Sequence, residues 1–422
     1  MELLIKNARI VSPADGLDRE NGDILVRDGK IAAIGKDLVT DGEVIDASGL
    51  TAVPGLVDMH VHLRDPGQTQ KEDILTGCRA AAAGGVTSLL CMPNTVPTVD
   101  NAETVRYIID KAKNADAKVY VAASITKGLK SEAPTDLTEL REAGAVGLSD
   151  DGRPVENTKF LSDAMKLAPK LGMTVVAHCE DLFLADGGKI NKGEVSEALG
   201  VKGLPAAAED CGTAREIALA AAENVPIHIC HVSTGTSVAL VRDAKRRGVK
   251  VTAETAPHYF SLTERELLKR DADYRMNPPL RTADDVKAII EGLRDGTLDC
   301  IATDHAPHTP GEKADFVSAP NGSVGMETSL AAGLTYLVKP GLLTLSELVE
   351  KMSVNPAKIL GINAGTLAAG APADIALVDL NEQWTVDPEG LHGKSKNTPF
   401  KGLTLTGRVK MTLLDGKIVY IA

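Results

Sequence analysis

The chain has 422 residues, with 46 Lys and Arg against 58 Asp and Glu and a formal charge of −12. That balance argues against a nucleic-acid or anionic-membrane surface, and no apolar run approaches the about 20 residues of a membrane-spanning helix. It leaves room for an anionic small-molecule substrate, because a local arginine or metal ion overrides net charge.

Residues 1–53 read as short strands joined by turns. An apolar, β-branched run covers 3–11, a second covers 23–27, and Asp28-Gly29 is a hairpin turn into 30–35. The N-terminus, Met1-Glu2-Leu3-Leu4-Ile5-Lys6, carries an acid too early for a secretory signal. The C-terminal end has the same texture: strands over 373–379 and 407–414, then Asp415-Gly416 turning into 417–421. Asp-Gly-Lys-Ile occurs at both 28–31 and 415–418. Two β-rich ends around a different middle suggest a small β-sandwich domain built from residues 1–53 and 365–422, enclosing a second domain, 54–364.

The middle alternates. Eight short apolar segments, 53–62, 86–92, 118–125, 145–151, 173–180, 226–232, 249–255 and 298–305, are spaced by helical patterns such as 71–83, 102–113, 159–171, 213–223, 237–247 and 283–293. Further helices are expected over 325–338 and 344–352. Eightfold alternation is the pattern of an α/β fold of the (β/α)8 TIM-barrel type, which commonly takes about 250 residues. A doubly wound open sheet is the runner-up, but no glycine-rich phosphate loop follows the first strand. The six cysteines (Cys78, Cys91, Cys179, Cys211, Cys230, Cys300) show no CxxC spacing. That suits reduced thiols in the cytoplasm.

The first of these segments carries the chemistry. In Gly55-Leu56-Val57-Asp58-Met59-His60-Val61-His62-Leu63-Arg64-Asp65-Pro66-Gly67, an apolar run from Thr51 to Val61 reads as one buried strand and delivers two histidines two residues apart. Residues i and i+2 share a strand face, so His60 and His62 point the same way. A lone pair of this kind suits hydrogen-bonded barrel-lining histidines as well as metal ligands. The other strand ends decide. Barrel enzymes place their sites at the C-terminal ends of the strands. There stand Asp150 and Asp151, His178, His231 and Asp304, so four histidines and two aspartates converge on one mouth. Alternation makes only one of Asp150 and Asp151 a ligand without saying which. His228 and His231, three apart, are expected on opposite faces, with His228 in the core. Cys179 and Cys230, beside histidines, are expected on the other face as small buried residues. His258, His305 and His392 have no partner by spacing and read as structural. Six ligands exceed one tetrahedral zinc and suit two metals sharing a carboxylate, the machinery of metal-assisted hydrolysis.

With these residues assembled, the chain resembles the amidohydrolase superfamily and, within it, the dihydroorotase family of bacterial type with an aspartate bridge. The resemblance runs over essentially the whole length. It is carried by the stretch from Pro54 to Gly67, by Met92-Pro93-Asn94-Thr95, Ser149-Asp150-Asp151-Gly152, His178-Cys179-Glu180 and His231-Val232-Ser233. Asn277-Pro278-Pro279-Leu280-Arg281 and the run from Thr303 to His308 complete it. It implies zinc-dependent, reversible interconversion of (S)-dihydroorotate and N-carbamoyl-L-aspartate in pyrimidine synthesis. By it His60 and His62 hold one Zn2+, His178 and His231 a second, Asp151 bridges them, and Asp304 is both ligand and general base and acid. His62, Arg64, Asn94 and His308 face the substrate, whose carboxylate Arg64, Asn94 and His308 grip; Asn277, Asn321 and Gly322 lie at the ring. Related hydantoinases, dihydropyrimidinases and allantoinases use a carboxylated lysine as the bridge, and strand four here has none. Asn321 departs from a family loop that usually carries an aromatic before the glycine. Homo-oligomers and association with aspartate transcarbamoylase are compatible with the resemblance. The competing readings are another cyclic amidase, such as a hydantoinase or allantoinase, and a non-catalytic scaffold homologue.

Overall fold

The computed structural model describes residues 2–422; Met1, and with it the start of the N-terminal segment read above, lies outside the described residues. Eight parallel strands form the central barrel in chain order: Leu56–Val61, Val86–Cys91, Lys118–Ala123, Gly147–Leu148, Thr174–Ala177, Ile227–Ile229, Val251–Thr255 and Cys300–Ile301. The first and eighth strands meet through a parallel bridge between Val61 and His305 and through His62 N donating to His305 O at 2.8 Å. Asp58 reinforces that seam. Its carboxylate accepts from Thr303 N at 3.0 Å and Thr303 Oγ1 at 2.5 Å. Apolar side chains from the strands, among them Val57, Met59, Leu90, Met92, Ala122, Val176 and Ala302, form a closed cluster. Barrels fill their interiors in this way rather than leaving a pore.

Several of the helices between strands begin where a side chain caps them. Asp73 accepts from Thr76 N before Ile74–Ala83, Asn101 accepts from Thr104 N before Ala102–Ala112, and Thr282 accepts from Asp285 N before Ala283–Arg294. Each cap satisfies a backbone donor that the first turn leaves open. The helix expected over 213–223 begins earlier and runs Ala206–Glu223.

Both chain ends join in one mixed eight-stranded sheet. Its order is Lys417–Ile421, Thr404–Leu414, Ile375–Thr385, Thr51–Pro54, Glu2–Ser12, Leu17–Arg27, Lys30–Gly35, with Glu43–Asp46 pairing in parallel with Glu2–Ser12. The sheet has its own apolar cluster, drawing Ile5, Ile10 and Ile24 from one end and Ile375, Leu377 and Leu413 from the other. The two Asp-Gly hairpins lie against each other: a Cβ on Gly29 would stand 2.9 Å from Asp415 O. Their paired positive φ values, 49° and 77° at Asp28-Gly29, 47° and 72° at Asp415-Gly416, are those of a twist-matched hairpin turn. One expectation changes here. The run from Thr51 to Val61 is two strands: Thr51–Pro54 pairs with Ile375–Thr385 in the terminal sheet, and Leu56–Val61 begins the barrel. Apolar texture is continuous across Gly55, so periodicity alone does not reveal the change of partner. Among the described residues no helix is long and apolar enough to cross a membrane, and all six cysteines are unpaired.

Candidate metal centre and active site

The strand ends bring the six expected side chains together. His60 Nε2 lies 3.3 Å from Asp151 Oδ1 and 3.6 Å from Asp304 Oδ1. His62 Nε2 lies 3.1 Å from Asp304 Oδ1 and 3.4 Å from Asp151 Oδ2. On the far side of Asp151, His178 Nδ1 and His231 Nε2 each stand 3.2 Å from its Oδ1. Asp151 thus sits between two histidine pairs, and Asp304 faces only the first. All six are buried. These groups form two buried ligand sets, His60, His62 and Asp151 on one side and Asp151, His178 and His231 on the other. This donor set suits a binuclear metal site. Its fit shows in one atom: His60 Nε2 is buried without a hydrogen-bond partner and faces both carboxylates. A buried, unpartnered nitrogen among carboxylates is the environment a cation resolves.

Three of the four histidines are aimed by their other nitrogen. His60 Nδ1 meets Glu254 Oε1 at 2.9 Å, His62 Nδ1 meets Asn94 Oδ1 at 2.8 Å, and His178 Nε2 meets Glu180 Oε2 at 3.3 Å. Donation on that side leaves the ring nitrogen facing the cluster free to coordinate. The electrostatics agree. Burial pushes the Asp151 carboxyl up, but the charge of His60 and bonds from His178, His231 and His60 hold it well below the ordinary carboxylate range. Burial pulls His178 down, yet Asp151 and Glu180 lift it to about 10.

Backbone geometry overturns two expectations about faces. His231 has φ of 34°, in the left-handed region, as do Arg64 at 59° and Asp304 at 49°. Left-handed residues break strand alternation. His228 and His231 therefore both turn inward: His228 Nε2 lies 3.2 Å from Glu254 Oε2, and Glu254 is also the partner of His60. Cys230 likewise lies beside His60 and Glu254 rather than on the opposite face. Burial pushes its thiol up, so it stays protonated. Cys179 faces the outer core, as expected.

Asp150 and Asp151 separate by function. Asp150 accepts from Ile125 N at 2.7 Å and Thr126 N at 3.1 Å, and from the Thr126 hydroxyl, pinning the loop after the third strand. Among the remaining histidines, His305 Nδ1 accepts from Gly325 N at 3.2 Å, His392 Nδ1 pairs with Glu327 at 2.8 Å, and His258 packs edge-on against Tyr259. None of the three is in either ligand set.

Around the mouth, Arg64 Nη2 lies 3.3 Å from His308 Nε2, and Arg64 Nε donates to Pro307 O at 3.2 Å. Lys71 Nζ, which sequence reasoning missed, lies 3.4 Å from His308 Nδ1. Both cations only donate, so the ring can accept from just one of them; the shortest contact, Nε2 to Asn321 O at 2.9 Å, puts the ring proton on Nε2 and leaves Nδ1 to accept from Lys71. Burial, with Arg64, Lys313 and Lys71 nearby, pushes His308 down to about 3, so it is neutral. Asn277 Nδ2 reaches Glu180 Oε2 at 3.5 Å. The Asn321 side chain turns away to Arg275 Nη2 at 3.0 Å. Gly322 has φ of 140°, and a Cβ there would stand 2.7 Å from Ala306 O and 3.0 Å from His308 Nε2. Only glycine fits that approach. Glu254 was also missed, although a lone acid in the short strand Val251–Thr255 is a signal, since a buried charge needs a partner.

Comparison with known proteins gives the family and the fold. A family model described as the amidohydrolase family matches residues 51–419. A dihydroorotase from Acetivibrio thermocellus is 53% identical over 99% of this chain and 98% of its own length. One from Geobacter metallireducens is 52% identical over the full length of both. Among solved structures, an L-hydantoinase (dihydropyrimidinase) from Arthrobacter aurescens superposes with a TM-score of 0.89 at 29% identity, covering 99% of this chain and 96% of the other. A dihydropyrimidinase from Brevibacillus agri gives the same TM-score and identity, covering 100% of this chain and 95% of its own.

Proposed function

The chain belongs to the amidohydrolase family and, within it, to the dihydroorotases, and on that premise we propose how its residues divide the work of interconverting dihydroorotate and N-carbamoyl-L-aspartate. The observation that carries the reading is Asp151 standing between two histidine pairs, where the cyclic-amidase cousins carry a modified lysine. His60 and His62 would hold one Zn2+ and His178 and His231 the other, with Asp151 placed to serve both and Asp304 beside the first pair. Bound there, two zinc ions supply Lewis-acid polarisation of the ring amide carbonyl and activation of water near neutral pH.

The rest is chain chemistry. Asp304, 3.1 Å from His62 Nε2, accepts the water's proton and hands it to the departing ring nitrogen, so one carboxylate serves both halves of the proton transfer. Arg64 offers a planar fork to the substrate carboxylate, and His308 stands beside it, its Nε2 proton shared between Asn321 O and that carboxylate. Asn94 does two jobs: its oxygen orients His62 while its amide donates to the same carboxylate. Asn277 and the backbone at Asn321 and Gly322 hold the ring. Residues 54–364 form the catalytic barrel, and 1–53 with 365–422 the β-unit. Unpaired thiols support a cytoplasmic setting.

Purified, zinc-loaded protein tests this directly. Metal is counted while dihydroorotate, hydantoin and allantoin are assayed in parallel. We expect two zinc ions per chain and turnover of dihydroorotate alone. No turnover of dihydroorotate, either by itself or with aspartate transcarbamoylase added, defeats the assignment. Size-exclusion of the same sample, with and without the transferase, reports a homo-oligomer or a complex.

A further inference from the structure

Two buried cations cross-link the segments that border the mouth. Lys313, only 9% exposed, belongs to the loop that runs from His308 to Gly322. Its Nζ donates to Ala272 O at 3.0 Å, Arg275 O at 3.2 Å and Pro320 O at 3.0 Å. An ammonium has three donors, and each has a carbonyl. Arg275, 2% exposed, belongs to the facing segment that leads to Asn277. Its Nη1 donates back to Phe316 O at 2.6 Å and Val317 O at 2.8 Å, and its Nη2 to Asn321 Oδ1 at 3.0 Å. Gly322 N completes the set on Arg275 O at 2.9 Å. The loop's cation binds carbonyls of the segment, and the segment's cation binds carbonyls of the loop.

Among the described residues neither cation has a carboxylate within hydrogen-bond distance. Burying a charge on these terms is costly, and an apolar side chain of similar volume would pack as well. What the arrangement adds is direction. Carbonyls of two irregular segments, which have no regular ladder between them, are set at defined distances from each other.

We propose that Lys313 and Arg275 are positioning residues: a reciprocal clamp that sets Asn277, Asn321 and Gly322 against the substrate ring. This rests on the reading of that loop as a substrate contact. It also accounts for Asn321 in a place where the family usually has an aromatic. The Asn321 side chain is committed to the clamp and its carbonyl to His308. The ring is therefore met by loop backbone held in place, not by a stacking side chain.

The test uses zinc-loaded full-length protein and the variants Lys313→Met, Arg275→Met, Arg275→Lys and Asn321→Ala. Three quantities are read: bound metal, amide hydrogen exchange over residues 308–322, and steady-state kinetics with dihydroorotate. We expect full metal content, faster exchange in the loop, and KM raised about tenfold to a hundredfold in the two Met variants with a smaller change in kcat. Arg275→Lys, which keeps the charge but loses the fork, falls between these and wild type. Asn321→Ala moves the same way by less. Wild-type KM and wild-type exchange in the Met variants overturn the proposal, as does a loss that tracks metal content. If the Met variants do not fold, unchanged KM in both Arg275→Lys and Asn321→Ala overturns it. A wild type inactive on dihydroorotate defeats the functional reading, while loop exchange still reports on the clamp.

Discussion

Glu254 stands behind His60: its Oε1 lies 2.9 Å from His60 Nδ1, so a residue of the seventh barrel strand orients a histidine of the first. Burial alone would raise the Glu254 carboxyl, but bonds to His228 and His60 hold it below the ordinary carboxylate range. The anion in turn strengthens His60 as a ligand, because a carboxylate behind an imidazole raises its basicity and locks its tautomer.

Glu254→Gln should therefore weaken metal binding without changing the ligand set. A loss of about 10-fold to 100-fold in affinity at one of two sites is expected from removing such a partner. Competition with a chelator of known affinity measures it. Two sites with wild-type affinity would remove Glu254 from this role.

Asp304→Asn separates binding from proton transfer. Five of the six proposed ligands remain, so most metal should stay bound while turnover of dihydroorotate is abolished. Metal counting and the assay are run on the same sample. Activity retained in this variant takes the proton-transfer role away from Asp304.

Arg64→Met should act on the substrate carboxylate alone. A charge-assisted hydrogen bond contributes about 1.5–3 kcal/mol, so KM for dihydroorotate should rise by roughly one to two orders of magnitude. Any slow hydrolysis of dihydrouracil, which lacks the carboxylate, should be unchanged. An equal loss on both rings would mean that Arg64 supports the site and does not read the carboxylate.

Lys313 confers a pH dependence of stability with a definite sign. Burial pushes its ammonium down to about 7; Asp273 and Asp271 oppose the shift, and Arg275 and Arg64 add to it. An unfolded chain keeps lysine charged up to about 10.4. Between those values the unfolded state binds more protons, so stability rises with pH. Wild type should gain on Lys313→Met between about pH 7 and about pH 9. Denaturant midpoints for both proteins across that range check it. A gap moving the other way contradicts the assignment.

Much of the site was legible because the relevant signals are local. His-x-His at a strand end, an aspartate pair after the fourth strand and Asp304 after the eighth are set by period and by side-chain chemistry, which need no knowledge of partners. The misreadings share one cause. Strand alternation placed His228 and Cys230 wrongly because it assumes an extended backbone, and His231 leaves it with φ of 34°. Asp150 and Asp151 could not be told apart by periodicity; the Ile125 and Thr126 amides that engage Asp150 lie in another loop. The break at Gly55 was hidden because both halves of the run are apolar and both are buried.

The sequence by itself determined which side chains are available and roughly where along each strand they stand, since composition and periodicity are properties of neighbours in the chain. The tertiary structure alone decided who meets whom. His60 finds Glu254 across 194 residues and His62 finds Asp304 across 242, and Arg275 meets the carbonyls of Phe316 and Val317 across 41 and 42. Those pairings exist because eight short strands close on themselves. Closure is a non-local event whose free energy comes from the whole barrel, so no single stretch of sequence records it.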